Sequence, residues 1–552
     1  MNTTAILHVP GTVDACPLDG RMHLRLRAAH GDLKKAELIY CCNKFKWHER
    51  KDVPMRLLGS GSEFDYYGVD VELTDTRFAY LFCLTDQAGE RCFLSEDGLT
   101  RIFDHTLSFF SYFQYTSIFP EEMPRVPEWV KTAVAYQIFP DRFHIGSRDR
   151  DLSYVNAAWG AKPHPKTFCG GDLAGITEKL PYLKALGVGL IYLNPVFCSP
   201  SNHHYDIEDY RRVDPHLGGN EALRTLIERA HALDIRVMLD GVFNHCSHTH
   251  PFFQDVAENG RKSPYYDWFF IDGDRPDFSR RNYRTFADVP YMPKLNTMHP
   301  QVIDYFAQVG AYWLREFDAD GWRLDVSDEL SHSFLRAFRR SVIAAKPDAI
   351  IIGEDWHRAE RSLNGDEYDG LMNYALSKAC MDLLAFETET PTEFCDRLLA
   401  LYHRNNVAAA QKQLNLLDSH DTDRFLTRVG GNAEKYRLAA AVCFFFPGIP
   451  CVYYGDEIGI AGGYDPDCRR CFDWEQTHWD HETHDLIGRL ARLKKTPALS
   501  RGGFSAEERD GIVTLRRSAP EGSALLIANV TSKARGALAP YAFRIEEIQG
   551  GE

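Results

Sequence analysis

The sequence lacks any apolar run long enough to cross a bilayer. Its longest, Leu438 to Phe446, is closed by Pro447 and Gly448, far short of the roughly 20 residues a membrane helix needs. It also lacks the basic and then apolar opening of a signal peptide: MNTTAILHVPGTVDACP carries only the short patch Ala5–Leu7. No block of lysine and arginine stands out, and 63 basic against 78 acidic residues leave a net charge of −15. Nucleic acid and anionic membrane are therefore poor partners. Internal repeats and low-complexity tracts are missing as well. Cysteine is not scarce: there are 14, including the adjacent Cys41 and Cys42, and Cys443 inside an apolar run. Without an export signal they read as reduced thiols of a cytoplasmic protein, not as a disulfide framework.

What is present is an ordinary globular composition, 44% hydrophobic and 26% charged. At roughly 150 residues per domain, 552 residues suggest three or four domains. Residues 1–122 hold short alternating segments (MHLRLRA, KAELIYC, YYGVDVELT, RFAYLFCL) separated by Gly, Asp and Asn, the signature of an antiparallel β module. The Pro-containing stretch FPEEMPRVPEWV reads as a linker. From about Ala133 strand-like runs alternate with helix-like ones: AVAYQIFP, GVGLIYLNP, RVMLD, ADGWRLD, AIIIGED, DGLMNY, QLNLLDSH and PCVYYGDE. Eight strands alternating with helices predict an α/β fold, a closed parallel (β/α)8 barrel over 123–499. The interval of about 246–299 is too long for a simple loop and reads as a small domain inserted after strand three. Strand-like segments return over 500–552, giving a C-terminal antiparallel β domain.

In such barrels the C-terminal strand ends converge on one mouth. Strand three ends in Asp240, followed by Asn244 and His245; strand four ends in Arg323 and Asp325; strand five in Glu354 and Asp355; strand seven in His420 and Asp421. His203, Tyr205 and Asp206 follow strand two. A single strand-end carboxylate is as often a loop cap as a catalytic group. Three of them with an arginine and two histidines on the same rim form the set that glycoside hydrolysis needs: a nucleophile, a proton donor, and neighbours that set their pKa values apart. Asp325 and Glu354 lie one βα unit apart and should stand side by side. Arg323, two residues before Asp325 on a strand, faces the same way and is expected to keep Asp325 ionised, while Glu354 needs a raised pKa to donate a proton.

The segments DGVFNH (240–245), GWRLDVSDE (321–329), GEDWH (353–357) and LLDSHDTDR (416–424) resemble the four signature segments of the α-amylase superfamily, glycoside hydrolase family 13. MPKLN (292–296) resembles the marker of the branch holding neopullulanase, cyclomaltodextrinase and maltogenic amylase. AVAYQIFPDRF, SPSNHHYDIEDY and GGYDPDCRRC extend the likeness, as does the N-terminal module, a starch-binding-like β-sandwich by this resemblance. The resemblance implies Asp325 as nucleophile, Glu354 as general acid/base and Asp421 as the third carboxylate. It implies that Arg323, His245 and His420 hold Asp325 and the hydroxyls of the sugar being cleaved, with Tyr205 on its ring. Trp356, His357 and Phe286 would lie toward the leaving group, Asp465 and Arg469 at the next sugar, and Glu329 at the acceptor.

By the same resemblance the activity is retaining hydrolysis of α-1,4 bonds in cyclodextrins, maltooligosaccharides and pullulan, with transglycosylation as a side or main reaction, in a homodimer formed through the N-terminal module. Departures exist: VSDE stands where the branch more often has VANE, which bears on acceptor preference at Ser327 and Asp328. No cofactor is required. Relatives often hold Ca²⁺ after the PDRF segment; here Asp151, Gly170 and Asp172 remain as oxygen donors, but Arg150 stands where a ligand would be expected and can fill the site itself. Cys468 and Cys471 form a C-x-x-C with no second pair nearby, so zinc is not expected. His248 and His250 read as neutral surface histidines, and the aromatic stretch 108–115 as packing of the β module. A non-catalytic binding protein should have lost one of the three carboxylates, and none is lost; a metal-dependent barrel hydrolase finds no strand-borne ligand cluster.

Overall fold

The structure, a computed structural model, describes residues 1–550 apart from 12, 43, 105–110, 120–122 and 147–148; for 44 and 45 only the backbone is described. Its centre is an eight-stranded parallel sheet. In chain order the strands are Ala135–Ile138, Leu190–Leu193, Arg236–Gly241, Gly321–Leu324, Ile350–Gly353, Gly370–Leu371, Leu414–Asn415 and Ile449–Tyr453. Each pairs with its sequence neighbours, the eighth pairs with the first, and the bridge between Met372 and Leu414 joins sixth to seventh, which closes the barrel. The strands are short and buried on both faces, as parallel strands under a ring of helices must be.

The helices follow from an apolar stripe and a defined start. Helix Pro300–Phe317 opens with proline at its first position and buries Val302, Phe306, Val309, Trp313 and Phe317 at helical spacing. Gly310 lies where it meets helix His332–Ala345: a Cβ there would fall 2.4 Å from Phe338 Cε2, so only glycine lets the two helices pack this closely. Between the third and fourth strands the chain makes helix Pro251–Asn259 and a set of isolated β bridges, 269 to 295, 271 to 283 and 285 to 293.

The N-terminal module is a sandwich of two antiparallel sheets. Met22, Leu24 and Leu26 from one face Leu38, Phe78, Tyr80 and Phe82 from the other across a shared core. In the aromatic stretch 108–115, residues 108–110 lie outside the described residues; Tyr112 stacks on Trp47 with ring centroids 4.0 Å apart, and Phe113 is buried in the module's core. The C-terminal domain is a four-stranded antiparallel meander, Gly503–Arg509, Ile512–Ala519, Gly522–Asn529 and Phe543–Gln549. Among the described residues no helix is long and apolar enough to cross a membrane.

Candidate active site

Strand register builds the site. Asp240 on the third strand pairs with Arg323 on the fourth, and Leu324 pairs with Gly353 on the fifth. The residues that follow, Asp325 and Glu354, therefore stand side by side at one height of the mouth. Arg323, wholly buried, ties them together. Its Nη1 donates to Asp325 Oδ1 at 2.9 Å and to both oxygens of Asp240 at 2.8 and 2.9 Å. Its Nη2 lies 2.8 Å from Glu354 Oε2. This last is an ion-pair contact without hydrogen-bond geometry, and Oε2 accepts the Val326 amide at 3.0 Å. Asp325 Oδ2 is buried with no protein partner.

One guanidinium serves a crowd of carboxylates. Burial pushes Asp325 well above the usual carboxylate range; Arg323 opposes the rise, while Glu354, Asp240 and Asp421 add to it. Asp240 is pushed up to about 6, burial again first, Arg323 against it. Arg323, expected to keep Asp325 ionised, is opposed here by lost hydration and three surrounding acids, which together push Asp325 up.

His420 and Asp421 do not end the seventh strand, which stops at Asn415; they sit in the loop beyond it. Gln137 Nε2 donates to His420 Nδ1 at 2.8 Å, which leaves the proton on Nε2, 2.6 Å from the Tyr205 hydroxyl. Tyr205 in turn donates to Asp240 Oδ2 at 3.0 Å and receives Asn194 Nδ2 at 3.0 Å. The rings of Tyr205 and His420 lie parallel, centroids 5.3 Å apart. Burial holds His420 well below the usual histidine range, helped by Arg469 and Arg323, so it is neutral, as this tautomer requires. His245 is pushed down to about 3 by burial, lies flat under Phe286 at 4.6 Å, and leaves Nε2 without a partner.

On one side of this group Arg469 spans the gap to the next position. Its Nε donates to His420 O at 2.8 Å, Nη2 to Asp421 Oδ1 at 3.3 Å, and Nη1 lies 3.1 Å from Asp465 Oδ1. On the other side Trp356, 48% exposed, lies flat on Tyr374 with centroids 3.7 Å apart. His357 is exposed beside it, its amide held by Asp355 Oδ1 at 2.8 Å. Glu329 is ion-paired with Lys294 from the inserted segment and touches none of the central carboxylates.

Around Asp151, Gly170 and Asp172 the donors are already committed to a cation of the protein's own. Arg150 donates to Asp172 Oδ2 at 2.9 Å, to Gly170 O at 2.5 Å and to His216 O at 2.6 Å. Asp172 Oδ1 accepts the Gly175 and Gly146 amides, and the exposed Asp151 accepts the Ser153 amide at 2.8 Å. A guanidinium and a divalent ion compete for the same oxygens, so this set does not fit Ca²⁺. Among the described residues no group of three or more His, Cys, Asp or Glu is placed to hold a metal. Cys468 and Cys471 are not partners: Cys468 Sγ meets His420 O at 3.2 Å, and the Cys471 thiol hydrogen-bonds with that of Cys169. His250 is corrected from a surface histidine to a buried one that caps helix Pro251–Asn259.

Sequence reasoning missed Gln137, Asn194, Tyr374 and Val326. The first two had a signal, a lone amide within or at the end of an apolar barrel strand. Val326 had none. It is β-branched yet left-handed (φ 45°, ψ 48°), a conformation costing of the order of 1–2 kcal/mol. That turn aims the Val326 amide at Glu354 Oε2, while the Ser327 amide and hydroxyl both reach Glu354 O, at 3.0 and 2.8 Å.

Residues 137–492 match the family model "Alpha amylase, catalytic domain", and residues 1–118 match "Alpha amylase, N-terminal ig-like domain". The chain is 43% identical over 489 residues to a cyclomaltodextrinase of Geobacillus thermopakistaniensis, covering 87% of this chain and 82% of that one. It is 40% identical over 516 residues to neopullulanase 2 of Thermoactinomyces vulgaris, covering 92% and 87%. A solved cyclomaltodextrinase superposes with a TM-score of 0.90 at 37% identity, over 96% of this chain and 91% of that one.

Proposed function

The chain belongs to the α-amylase family of glycoside hydrolases, and from that premise we propose that it hydrolyses α-1,4-glucosidic bonds with retention of configuration, using Asp325 as nucleophile and Glu354 as acid/base. The observation that carries this reading is the pair of carboxylates on one guanidinium, Asp325 on Nη1 and Glu354 on Nη2. Two carboxylates on adjacent strand ends, sharing one guanidinium, are the close pair that a covalent intermediate calls for. In the first half, Asp325 forms a bond to the anomeric carbon as the glycosidic C–O bond breaks, and the proton of Glu354 passes to the departing oxygen. In the second, Glu354 takes a proton from water, whose oxygen displaces Asp325. A sugar hydroxyl in place of that water gives transglycosylation.

In this reading Asp421 and Arg469 grip hydroxyls of the bound sugar, Tyr205 and His420 line its face, and Trp356 on Tyr374 presents a flat apolar platform to the leaving sugars. The proposed substrates are cyclodextrins, maltooligosaccharides and pullulan, in a cytoplasmic homodimer whose N-terminal module covers the partner's cleft. The test is Asp325→Asn against β-cyclodextrin and maltotriose, with the anomer of the first product followed by proton NMR in the native enzyme. Loss of hydrolysis by about 10⁴-fold or more is expected, with the α-anomer formed first; retained activity, or the β-anomer, overturns the assignment.

A further inference from the structure

Where the N-terminal module leans on the barrel, a cavity of about 460 Å³ lies between strand Arg21–Ala29 and the C-terminal end of helix Pro391–His403. Five arginines line it against two carboxylates, Asp14 and Glu360. Two of the five are neutralised: Arg358 by Glu360 of the lining at 2.8 Å, and Arg397 by Asp382 at 2.8 Å and Glu389 at 2.7 Å, both outside it. Of the other three, Arg25, Arg27 and Arg404, only Arg25 has a described carboxylate within ion-pair reach, Asp14.

Arg25 is 6% exposed; Nη2 donates to Val13 O and Asn405 O, its nearest carboxylate oxygen is Asp14 Oδ1 at 3.5 Å, and Nη1 has no partner. Arg27 rests over the Phe64 ring at 4.0 Å with Nε buried and unpartnered. Neither Arg27 nor Arg404 forms an ion pair with a described carboxylate. Next to Arg404, His403 is 7% exposed, lies flat on Tyr66 at 4.1 Å, and has a partner on neither ring nitrogen. The cavity thus holds buried donors without acceptors and more positive than negative charge, five arginines against Asp14 and Glu360, in a chain whose net charge is −15. Buried polar groups are nearly always paired, and like charges brought together out of water repel strongly. Such an arrangement is explained by a ligand that brings the acceptors with it.

The chemistry of that ligand follows from the donors. The guanidinium groups come from two sides, Arg25 and Arg27 on the strand and Arg404 just past the helix. A planar carboxylate takes one fork; a tetrahedral phosphate offers oxygens in several directions and carries up to two charges. The cavity is larger than a bare phosphate ion and leaves room for what the phosphate is attached to. It continues past Val9, Val13 and Glu360 into a wider groove of about 1450 Å³, where Arg340 and Arg361 form no ion pair with a described carboxylate and Arg125 Nε is buried without a partner. We propose that this seam between the N-terminal module and the barrel binds a phosphate-bearing small metabolite, with its phosphate on Arg25, Arg27 and Arg404.

The test is isothermal titration of the full chain with inorganic phosphate, glucose 1-phosphate and adenosine diphosphate in turn, at constant ionic strength in chloride. Saturable one-to-one binding of at least one probe is expected, with an affinity of the order of millimolar or tighter, and the thermal midpoint should rise in its presence because the ligand favours the folded state. The ranking of the three probes identifies what the phosphate is attached to. Arg27→Gln and Arg404→Gln should each weaken binding by about tenfold or more while leaving cyclodextrin hydrolysis and the ligand-free thermal midpoint in place. If either unfolds, Arg404→Lys, which keeps the charge, should bind more tightly than Arg404→Ala. No saturable heat with any probe, or equal affinity in variant and native chain, overturns the proposal.

Discussion

Arg323 and Asp325 stand two residues apart on one strand end, joined at 2.9 Å, and the same nitrogen also grips both oxygens of Asp240. The arginine is therefore a shared counter-charge for buried acids on three neighbouring strands, not the private partner of one.

Removing that counter-charge has a pH signature. Taking away one partner of a buried ion pair costs about 3–5 kcal/mol, so Arg323→Met should be destabilised by that order at pH 7 as well as inactive. Asp240, already pushed up to about 6 with Arg323 present, rises further without it. A carboxylate whose folded pKa is raised binds its proton more tightly in the folded chain, so its stabilising effect is full at low pH and is lost as pH rises through the folded value. The deficit of the variant should therefore shrink from pH 7 to pH 5, measured by urea unfolding at both. An equal deficit at the two pH values would show that charge compensation is not what Arg323 supplies.

The same crowding sets the acid side of the activity profile. Asp325 must be ionised to attack, and burial with its acidic neighbours holds it well above the usual range. The acid limb of kcat/KM should therefore lie above the usual carboxylate range. Asp421 is one of the charges that raise Asp325. Asp421→Asn, assayed on an activated aryl maltoside to keep the residual rate measurable, should move that limb to lower pH. A limb that stays in place would remove Asp421 from the electrostatics of Asp325.

Arg150 makes a prediction about chelation. Its guanidinium holds Asp172, Gly170 and His216 together, so the native thermal midpoint should be unchanged by EDTA or by added calcium. Arg150→Ala should lose about 1–3 kcal/mol, since it removes the guanidinium that donates to the buried Asp172 oxygen. Thermal melts of both proteins with and without each addition check it; a native midpoint that falls in EDTA would put a metal back on these donors.

The barrel was open to sequence reading because its period is local. Each strand is a short apolar run and each helix a stripe at helical spacing, so their alternation needs no knowledge of partners. The central acids were readable for the same reason: Asp240, Arg323, Asp325 and Glu354 sit at or just beyond strand ends, where register does the aligning. His420 was found by its motif, though its loop, five residues past the strand, was not foreseen. Gln137, which fixes the tautomer of His420 from across the barrel, has no pattern that links it to that histidine. Val326 looks like any strand residue until its left-handed turn is seen.

The sequence alone determined which residues could do chemistry here, because a family's motifs and strand periodicity are one-dimensional properties. It also determined that the chain would close a barrel between two β domains. Only the tertiary structure decided what those residues share. How far Asp325 is pushed depends on summed charge and lost hydration inside one small volume, and whether Asp172 meets a metal or Arg150 depends on which side chain arrives there. The arginines of the seam lie far apart in the chain, from Arg25 to Arg404. They become a site only because folding lays the N-terminal module against the barrel, and electrostatic energy depends on distance in space, not along the chain.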